Sequence, residues 1–436
     1  MSGLLQKELG VIENSYYEAS VARPPLCQPL QGRIGADVCV VGGGYAGLSC
    51  ALELALRGFS VALLEAHRIG WGASGRNGGQ AIVGFGAEGE HAIERQCTKE
   101  TARAAWNATV EGLHLLRQRI DMFGIACDHV QGYMTLAPRQ RKAGELQRWV
   151  CHTHETYGYP LEWIERQRLP DYVGSDRFVA GAYDPHSGHL HPLKYCLGLS
   201  AAARENGVQV FENSPAYRVE RESEPVVKTA EGEVRCKHVV LAGNVYLGEF
   251  GDHLAPEIQA RIMPVGTYMI ATEPMDAAAA HALMPGKAAA SDNNLIVDYF
   301  RVSADNRLLF GAGETFSAKP PQNLVQRIRA RMVHVFPQTA DLEIDYAWGG
   351  FVDITMNRAP DLGRIGTNLY YAQGFSGHGL VFAGMAGKLI ADAVCGDASR
   401  FDVFARIRHH RFPGGAVLRT PALVLGMWYY RLRDLL

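Results

Sequence analysis

The sequence predicts an α/β fold made of a Rossmann-like parallel sheet and a second α+β domain built on an antiparallel sheet. An apolar run at 38–41 ends at a Gly-x-Gly-x-x-Gly turn, and a helical pattern and a second apolar run follow it. Continuous apolar runs of this length are typical of parallel strands buried on both faces. The stretches 266–273, 294–300 and 307–313 alternate or run apolar, with the turn SADN between the last two, which is typical of antiparallel strands.

The glycines of the first turn suit a phosphate-binding role. Gly42 allows a tight exit from the strand, Gly44 lets a pyrophosphate approach the backbone, and Gly47 lets the helix pack close to the strand. The helix that begins here offers unpaired N–H groups and a positive dipole end to phosphates. Glu65 ends the second strand about 20 residues later, where a carboxylate can accept hydrogen bonds from a ribose diol. A glycine-rich turn of another α/β fold is the alternative.

Composition excludes several classes of protein. The chain has 436 residues, enough for two joined domains, and its 43 Lys plus Arg nearly balance its 45 Asp plus Glu, which argues against a nucleic-acid partner. The nine cysteines are scattered without a Cys-x-x-Cys pair, as expected for reduced thiols in the cytoplasm. The sequence has no basic start followed by an apolar segment and no apolar run long enough for a transmembrane helix. We therefore expect a cytoplasmic protein; the oligomeric state is left open.

The order of the patterns predicts a discontinuous architecture. An N-terminal arm at 1–34 precedes the dinucleotide-binding domain, and a tail at 401–436 follows it. We assign 35–90, 184–260 and 343–400 to the dinucleotide-binding domain, and 91–183 and 261–342 to the substrate-binding domain. Periodicity predicts helices at 99–123, 140–157, 193–206 and 380–394, and strands at 132–137, 239–241 and 370–373.

The segment DPHSGHLHPL contains His186, His189 and His191, which raises the question of a metal site. Their spacing fits no helical ligand pair, and the segment holds no carboxylate or cysteine at ligand spacing. We therefore predict no metal and interpret the segment as a turn before a helix with Pro192 in its first turn.

Several motifs carry a family resemblance: RIGWGASGRNGGQ at 68–80, SGHLHPL at 187–193, VVLAGNVYLG at 239–248, DNRLLFGAG at 305–313 and YYAQGFSGHG at 370–379. With these motifs the chain resembles the flavoprotein amine and amino-acid oxidases of the D-amino-acid oxidase superfamily, which includes glycine and sarcosine oxidases. The resemblance implies FAD in a Rossmann-like domain of the glutathione-reductase type. It also implies that the antiparallel sheet covers the flavin ring.

The resemblance further implies which residues bind FAD. Backbone groups around 215–216 would meet the adenine, and the helix that follows the turn at 374–379 would direct its N-terminus at the pyrimidine end of the flavin, where a positive dipole end stabilises negative charge. The implied cofactor residues are Gly42, Gly44, Tyr45, Ala46, Gly47, Glu65, Ala66, Gly72, Ala73, Ser74, Arg76, Asn77, Gly78, Gly79, Pro215, Ala216, Ala242, Gly243, Asn244, Gly374, Ser376, Gly377, His378, Gly379 and Leu380.

Three departures from the family pattern bear on the substrate, the attachment of the flavin and the electron acceptor. Val352 stands where amino-acid oxidases of the family often carry an arginine that binds the substrate α-carboxylate, so an amine without that group fits better. Arg76 stands near the place of a flavin-linked histidine and the late segment has no cysteine, so we predict non-covalent FAD. Leu309 stands about where some relatives place a lysine that promotes reaction with oxygen, so oxygen or another electron acceptor stays open.

Together these features predict the oxidative deamination of a primary amine to an aldehyde and ammonia, with oxygen giving hydrogen peroxide. The resemblance is nearest to members that oxidise γ-glutamylputrescine, and Arg358 or Arg364 could hold the distant carboxylate of such a substrate. Asp353 could attract the amine or lie in a solvated loop. We predict four catalytic-site residues: Tyr299, Arg301, Trp348 and His378. The alternatives are an amino-acid dehydrogenase or oxidase that uses another acceptor, and a non-catalytic FAD-binding protein.

Overall fold

Two sheets organise the protein. The structure is a computed structural model that describes residues 14–250, 254–294, 296–315 and 323–413. Its strands are β1 Gly32–Val41, β2 Val61–Leu64, β3 Gln80–Ala81, β4 Val130–Ala137, β5 Glu162–Glu165, β6 Ala180–His189, β7 Gln209–Phe211, β8 Arg218–Glu220, β9 Val226–Lys228, β10 Gly232–Leu241, β11 Ile262–Thr272, β12 Ala289–Asp292, β13 Tyr299–Val302, β14 Leu308–Thr315, β15 Ile344–Thr355, β16 Asp361–Ile365 and β17 Leu369–Gln373.

The helices lie on the faces of these sheets and between them. They are α1 Tyr16–Ala19, α2 Tyr45–Leu56, α3 Ala87–Gln96, α4 Lys99–Met122, α5 Gln140–Tyr157, α6 Pro192–Glu205, α7 Pro256–Gln259, α8 Ala277–Leu283, α9 Leu324–Val335, α10 Gly379–Val394 and α11 Phe401–Ala405. The helices predicted at 99–123 and 140–157 are confirmed to within one residue. None of the helices in the described ranges is long and apolar enough to cross a membrane.

The first sheet has the strand order β16-β17-β10-β1-β2-β7, and the hairpin β8-β9 joins it through β10. Strand β1 pairs in parallel with both β10 and β2, and β17 extends the parallel core. Val38 and Val40 pack into the core under α2 and α10, while Cys39 and Val41 pack on the opposite face. The predicted Rossmann-like sheet, buried on both faces, is confirmed.

The second sheet has the order β15-β11-β14-β13-β12-β4-β6-β3, with β5 on β6, and most of its pairs are antiparallel. Phe300, Phe310 and Phe336 pack on one face of this sheet, in the core that α9 covers. That face is apolar, so the opposite face is the one available for a site. This arrangement confirms the predicted antiparallel sheet.

The strand pairings move two of the predicted domain limits. Strand β6 runs through residue 184, where we placed a limit, and pairs along its length with β4 in the second sheet. Strand β15 pairs with β11 along nearly all of its length, so it also belongs to the second sheet rather than to the dinucleotide-binding domain. The segment DPHSGH at 184–189 is correspondingly the end of a strand, and the predicted turn was wrong there, because its backbone pairs with β4 and β3.

The histidines of this segment have separate partners. His189 shares a hydrogen bond with the Lys287 carbonyl, through Nε2 at 2.8 Å. His191 caps α6: its Nδ1 accepts from the Lys194 backbone N–H at 3.2 Å, and its Nε2 lies 2.9 Å from Ser20 Oγ. Burial, with the Arg301 charge, lowers the pKa of each ring to about 3. Both rings are therefore neutral structural groups at neutral pH.

We expect these buried rings to make the fold sensitive to acid. The unfolded chain binds a proton at His191 below about pH 6.5, whereas the folded chain does not until about pH 3, so stability falls as the pH falls from 6.5. His191→Asn keeps a capping oxygen but does not titrate. When the pH falls from 6.5 to 5, the free energy of unfolding of the wild type should decrease by up to about 2 kcal/mol more than that of His191→Asn. Urea titrations at both pH values measure this; His154→Asn, on the exposed side of α5, is the control. Equal losses in the wild type and in His191→Asn would contradict the assignment.

Candidate active site

A cavity of about 690 Å³ is lined by residues from both sheets. On the side of the first sheet it meets the carboxyl ends of β1, β2 and β10, which is where parallel α/β sheets bind nucleotides. On the side of the second sheet the cavity meets the sheet face opposite the one that α9 covers. The cavity therefore joins a dinucleotide-binding half to a half that can hold a second molecule.

The glycine turn forms one end of the cavity. A Cβ at Gly44 would lie 2.7 Å from Ser74 Oγ, and a Cβ at Gly42, where φ is +115°, would lie 2.5 Å from the Ala242 carbonyl oxygen. A Cβ at Gly47 would lie 2.0 Å from the Gly42 carbonyl oxygen, so Gly47 serves the contact between helix and strand rather than the cavity wall. Gly42 and Gly47 thus allow close backbone contacts and Gly44 allows the contact with Ser74, while the approach of a pyrophosphate at Gly44 stays a prediction.

Glu65 directly follows β2, as predicted, and it lines the cavity. Its Oε2 accepts a hydrogen bond from the Gly43 N–H at 2.7 Å, and its Oε1 accepts one from the His67 N–H at 2.9 Å. Burial raises the pKa of this carboxyl group above its usual value. Glu65 therefore holds the glycine turn in place and still presents carboxylate lone pairs at the position where a ribose diol is expected.

The loop 70–80 crosses from the first sheet to the second. Ser74 Oγ accepts from the Tyr45 N–H at 3.1 Å, which ties the loop to the start of α2. The Arg76 guanidinium stacks on the Trp71 ring at 4.3 Å and lies 3.4 Å from the Gly349 carbonyl. Asn77 Oδ1 accepts from the Gly79 N–H at 2.8 Å. These contacts give the loop a fixed shape along the cavity.

The turn at 374–379 forms a further wall and leads into α10. Asp353 is buried and accepts from the Gly374 N–H, and its own carbonyl accepts from the Ser376 N–H at 2.9 Å. Burial raises the pKa of Asp353 to about 6. Asp353 is therefore not the solvated loop residue that we considered; it holds the turn. Burial also lowers the pKa of His378, the residue before α10, to about 4, so this ring is neutral at pH 7.

Most predicted cofactor residues line this one cavity. They are Gly42, Gly44, Tyr45, Ala46, Glu65, Ala66, Gly72, Ala73, Ser74, Arg76, Asn77, Gly78, Ala216, Ala242, Gly243, Asn244, Ser376, Gly377, His378, Gly379 and Leu380, together with the predicted catalytic residue Tyr299. Gly47, Gly79, Pro215 and Gly374 are adjacent in sequence to lining residues but do not line the cavity themselves.

Arg301 and Trp348 differ from the prediction, because neither lies at the cavity wall. The buried Arg301 side chain donates from Nε to the Gly78 carbonyl at 2.9 Å and from Nη2 to Tyr17 Oη at 3.2 Å. Trp348 is fully buried and donates from Nε1 to the Arg76 carbonyl at 3.0 Å. Both residues support the loop 70–80 from behind, so the structure gives them a supporting position instead of the substrate contact that we predicted.

The two arginines that we considered as partners of a distant substrate carboxylate lie in different places. Arg358 lines the cavity and lies 3.6 Å from the Glu88 carboxylate. Arg364 lies elsewhere, 3.8 Å from Asp402 and against the Tyr370 ring. Val352 lines the cavity, which is required if it is to influence the choice of substrate. Leu309 does not line it and packs beside Trp348 in a separate cluster.

The second half of the cavity contains polar residues that sequence reasoning missed. They are Tyr133, Thr135, Lys142, Asp184, Ser291 and Asp292. Alternation along β4 indicated a strand, but which face meets the cavity depends on the pairing of distant strands.

A separate group, His91, Glu94 and His152, brings possible ligand atoms within 4.8 Å of one another, and Glu94 accepts there from Tyr157 Oη. His91 and Glu94 are three positions apart, but His152 is 58 positions from Glu94, so the group of three forms no recognisable motif in the sequence.

Known proteins match this architecture. The family model described as DAO, FAD dependent oxidoreductase, matches residues 37–393. Over 422 residues the chain is 41% identical to the Gamma-glutamylputrescine oxidoreductase of Escherichia coli, which covers 97% of this chain and 98% of that protein. Among solved structures, glycine oxidase from Geobacillus kaustophilus matches with a TM-score of 0.69 and 23% identity over 83% of this chain and 94% of its own. L-proline dehydrogenase from P. horikoshii matches with a TM-score of 0.71 and 21% identity over 87% of this chain and 98% of its own.

The family model covers most of the chain, and most of the residues predicted from the sequence to bind the cofactor meet around one cavity. The cofactor is therefore FAD, and the protein is an enzyme. The chain belongs to the DAO family of FAD-dependent oxidoreductases.

Proposed function

We propose that this enzyme oxidatively deaminates a primary amine that carries a γ-glutamyl group, γ-glutamylputrescine or a close polyamine derivative, to the aldehyde and ammonia. The observation that carries the proposal is that Val352 lines the cavity. The family resemblance places it where amino-acid oxidases often carry a carboxylate-binding arginine, and a valine cannot bind a carboxylate. The relative that is 41% identical over nearly the whole chain is named for that substrate.

The residues present suit FAD. Gly44 lines the cavity without a side chain, and the N-termini of α2 and α10 offer backbone N–H groups at the cavity. Gly44, Ser74 and Glu65 would hold the nucleotide half, and the turn at 374–379 would hold the flavin half. When bound, the flavin supplies the chemistry by accepting a hydride from the carbon that bears the amine.

The chain's own residues favour the neutral amine, from which a hydride can leave. Val352 and Phe351 contribute apolar wall, and transfer from water to such surroundings disfavours an ammonium group. The Tyr299 ring faces the cavity and can hold the cation before it loses its proton. The low pKa of His378 keeps that ring neutral, so it does not repel the incoming cation. The reaction then requires no dedicated base.

We also propose that FAD is held without a covalent bond and that oxygen is the electron acceptor, reduced to hydrogen peroxide. Support for the first part comes from Arg76, which stacks on Trp71 near the position of a flavin-linked histidine in relatives. Precipitating the holoenzyme with acid should release all of the yellow colour into the supernatant. Colour retained in the washed pellet would contradict non-covalent binding.

Product analysis tests the proposed reaction. Aerobic incubation of the holoenzyme with γ-glutamylputrescine should give ammonia, an aldehyde and hydrogen peroxide in equal amounts, with equal oxygen uptake. Glycine and a D-amino acid should give none of these products. Ammonia and aldehyde without oxygen uptake would place the electrons on another acceptor, and turnover of amino acids alone would favour the amino-acid dehydrogenase or oxidase alternative.

A further inference from the structure

We propose that His91, Glu94 and His152 bind a Zn²⁺ ion, and that the bound ion clamps helix α3 to helix α5 beside the cavity. None of the three residues lines the cavity, so the inference does not depend on the proposed function. The group is also separate from the histidines of the segment at 184–193, for which we predict no metal.

The three side chains converge from two helices. His91 and Glu94 are three positions apart on α3, and side chains at this spacing share one face of a helix. His152 comes from α5. The Glu94 carboxylate lies 3.2 Å from His91 Nδ1 through Oε2 and 2.7 Å from His152 Nε2 through Oε1. One ligand atom from each residue can therefore reach a common point.

The separations are close to those of a tetrahedral zinc site. Zinc binds histidine nitrogen and carboxylate oxygen at about 2.0–2.2 Å, which places the ligand atoms roughly 3.4 Å from one another. Here the three ligand atoms lie within 4.8 Å of one another. The His91 side chain is 51% exposed, so its ring is free to turn towards the ion. Only small side-chain rotations then separate the group from zinc geometry.

Hydrogen bonds orient two of the ligands. Thr156 Oγ1 lies 3.3 Å from Nδ1 of His152, so Nδ1 can donate to this hydroxyl while Nε2 faces the ion. Tyr157 Oη donates to Glu94 Oε1, and the Tyr157 ring stacks on the Trp106 ring at 4.4 Å. Histidine ligands of metals usually donate their second N–H in this way, and such outer partners fix the ligand before the ion arrives.

Glu94 supplies the negative charge of the site. Burial works to raise the pKa of this carboxyl group, but hydrogen bonds from Tyr157, His152 and His91 outweigh burial and lower the pKa below its usual value. Glu94 is therefore a carboxylate at neutral pH, as a metal ligand must be. Within the described ranges no lysine or arginine forms an ion pair with Glu94, so an incoming cation displaces no cationic side chain of either type.

The ligand set favours zinc over the commoner alkaline-earth cations. Two imidazoles and one carboxylate are a set that zinc uses when a water molecule takes the fourth position, and the exposed side of His91 leaves that position to solvent. Ca²⁺ and Mg²⁺ instead require mostly oxygen ligands, of which this group offers one carboxylate. We therefore expect Mg²⁺ in excess not to compete with Zn²⁺.

The ion would join two helices that both contribute to the cavity wall. One turn before the ligands, Trp149 Nε1 of α5 donates to the buried Glu90 Oε2 of α3 at 2.8 Å, so the helices are already in contact. Trp149 lines the cavity, and so do residues 85–89 at the start of α3. An ion bound on the outer side of this contact would therefore fix two walls of the cavity relative to each other.

Equilibrium dialysis of tag-free holoenzyme, freed of metal with EDTA, tests the site. In excess Mg²⁺ the wild type should bind Zn²⁺, and Glu94→Gln and His152→Gln should bind it on the order of 100-fold more weakly, because each variant loses a ligand. His154→Gln is the matched control, because His154 is exposed on the same helix two positions away and should leave the affinity unchanged. Equal affinity in all four proteins, or no binding to the wild type, would overturn the proposal.

Experiments on the wild type alone locate the ion without relying on how the variants fold. Zn²⁺ should protect His91 and His152 from acylation by diethyl pyrocarbonate, measured by mass spectrometry of peptides, and should leave the acylation of His154 unchanged. Zn²⁺ at 100 times its Kd should also raise the melting temperature of the holoenzyme by about 3 °C, because an ion that binds only the folded chain stabilises it. Bound Zn²⁺ that leaves His91 and His152 unprotected would overturn the assignment.

Discussion

Gly44→Val should give a folded protein that no longer retains FAD. A Cβ at this position would lie 2.7 Å from Ser74 Oγ, and the added methyl groups would occupy the space through which a pyrophosphate approaches the start of α2. Gly44 has φ −95°, a value that valine also adopts, so the change acts on the cavity rather than on the backbone. We expect FAD affinity to fall on the order of 1,000-fold or more, because both steric fit and backbone hydrogen bonds are lost.

The flavin absorbance of the purified variant, relative to its protein absorbance, measures this loss. Added FAD should raise the melting temperature of apo wild type and leave that of Gly44→Val unchanged, because a ligand stabilises only the protein that binds it. Gly35→Ala is the control: a Cβ there meets no atom within 4 Å, so FAD content should stay at the wild-type level. A yellow Gly44→Val protein would contradict the assignment of the phosphate site.

Val352→Arg should retain FAD but lose amine oxidation. Val352 lines the cavity on β15, opposite Val265 of β11 in the strand register, and a guanidinium there would repel an ammonium and fill part of the substrate space. We expect kcat/KM for γ-glutamylputrescine to fall on the order of 1,000-fold. Activity on amino acids should gain relative to activity on the amine, since the new cation can pair with an α-carboxylate.

Steady-state assays of this variant and of Val352→Thr on the same substrates make the comparison. Val352→Thr has nearly the same volume and adds a hydroxyl but no charge, and at the cavity wall this hydroxyl can bond to water or substrate, so kcat/KM should stay within about tenfold of wild type. If Val352→Arg oxidised the amine as well as wild type does, Val352 would not lie beside the reacting end of the substrate. Position 352 would then not explain why the enzyme disfavours amino acids.

The nucleotide half of the site could be predicted from the sequence because its signals are local. A strand, a glycine turn, a helix and Glu65 follow one another within 30 residues, and the register of β1 with β2 brings them together. The turn before α10 was recognisable for the same reason. The limits at 184 and 343 were misplaced, because strands β6 and β15 take their sheet from partners that are distant in sequence.

The substrate half could be predicted only in outline. Alternation correctly placed Tyr299 and Arg301 on one face of β13. It did not show that Tyr17, near the N-terminus, would cover Arg301, so the arginine became a support for Gly78 rather than a substrate contact. Lys142 and Asp292 were missed because α5 and β12 meet only in the fold. The tail that we assigned to 401–436 is described as far as residue 413, and the rest of it lies outside the described residues.

Anaerobic mixing of the holoenzyme with substrates shows which compound reduces the flavin, because it observes the reductive half-reaction without any electron acceptor. We expect rapid bleaching of the flavin absorbance by γ-glutamylputrescine, much slower bleaching by putrescine and spermidine, and none by glycine or a D-amino acid. Equal bleaching by putrescine would keep amine oxidation and discard recognition of the γ-glutamyl group. Bleaching by amino acids alone would contradict the proposed amine oxidation, and a flavin that none of these compounds reduces would indicate a non-catalytic FAD-binding protein.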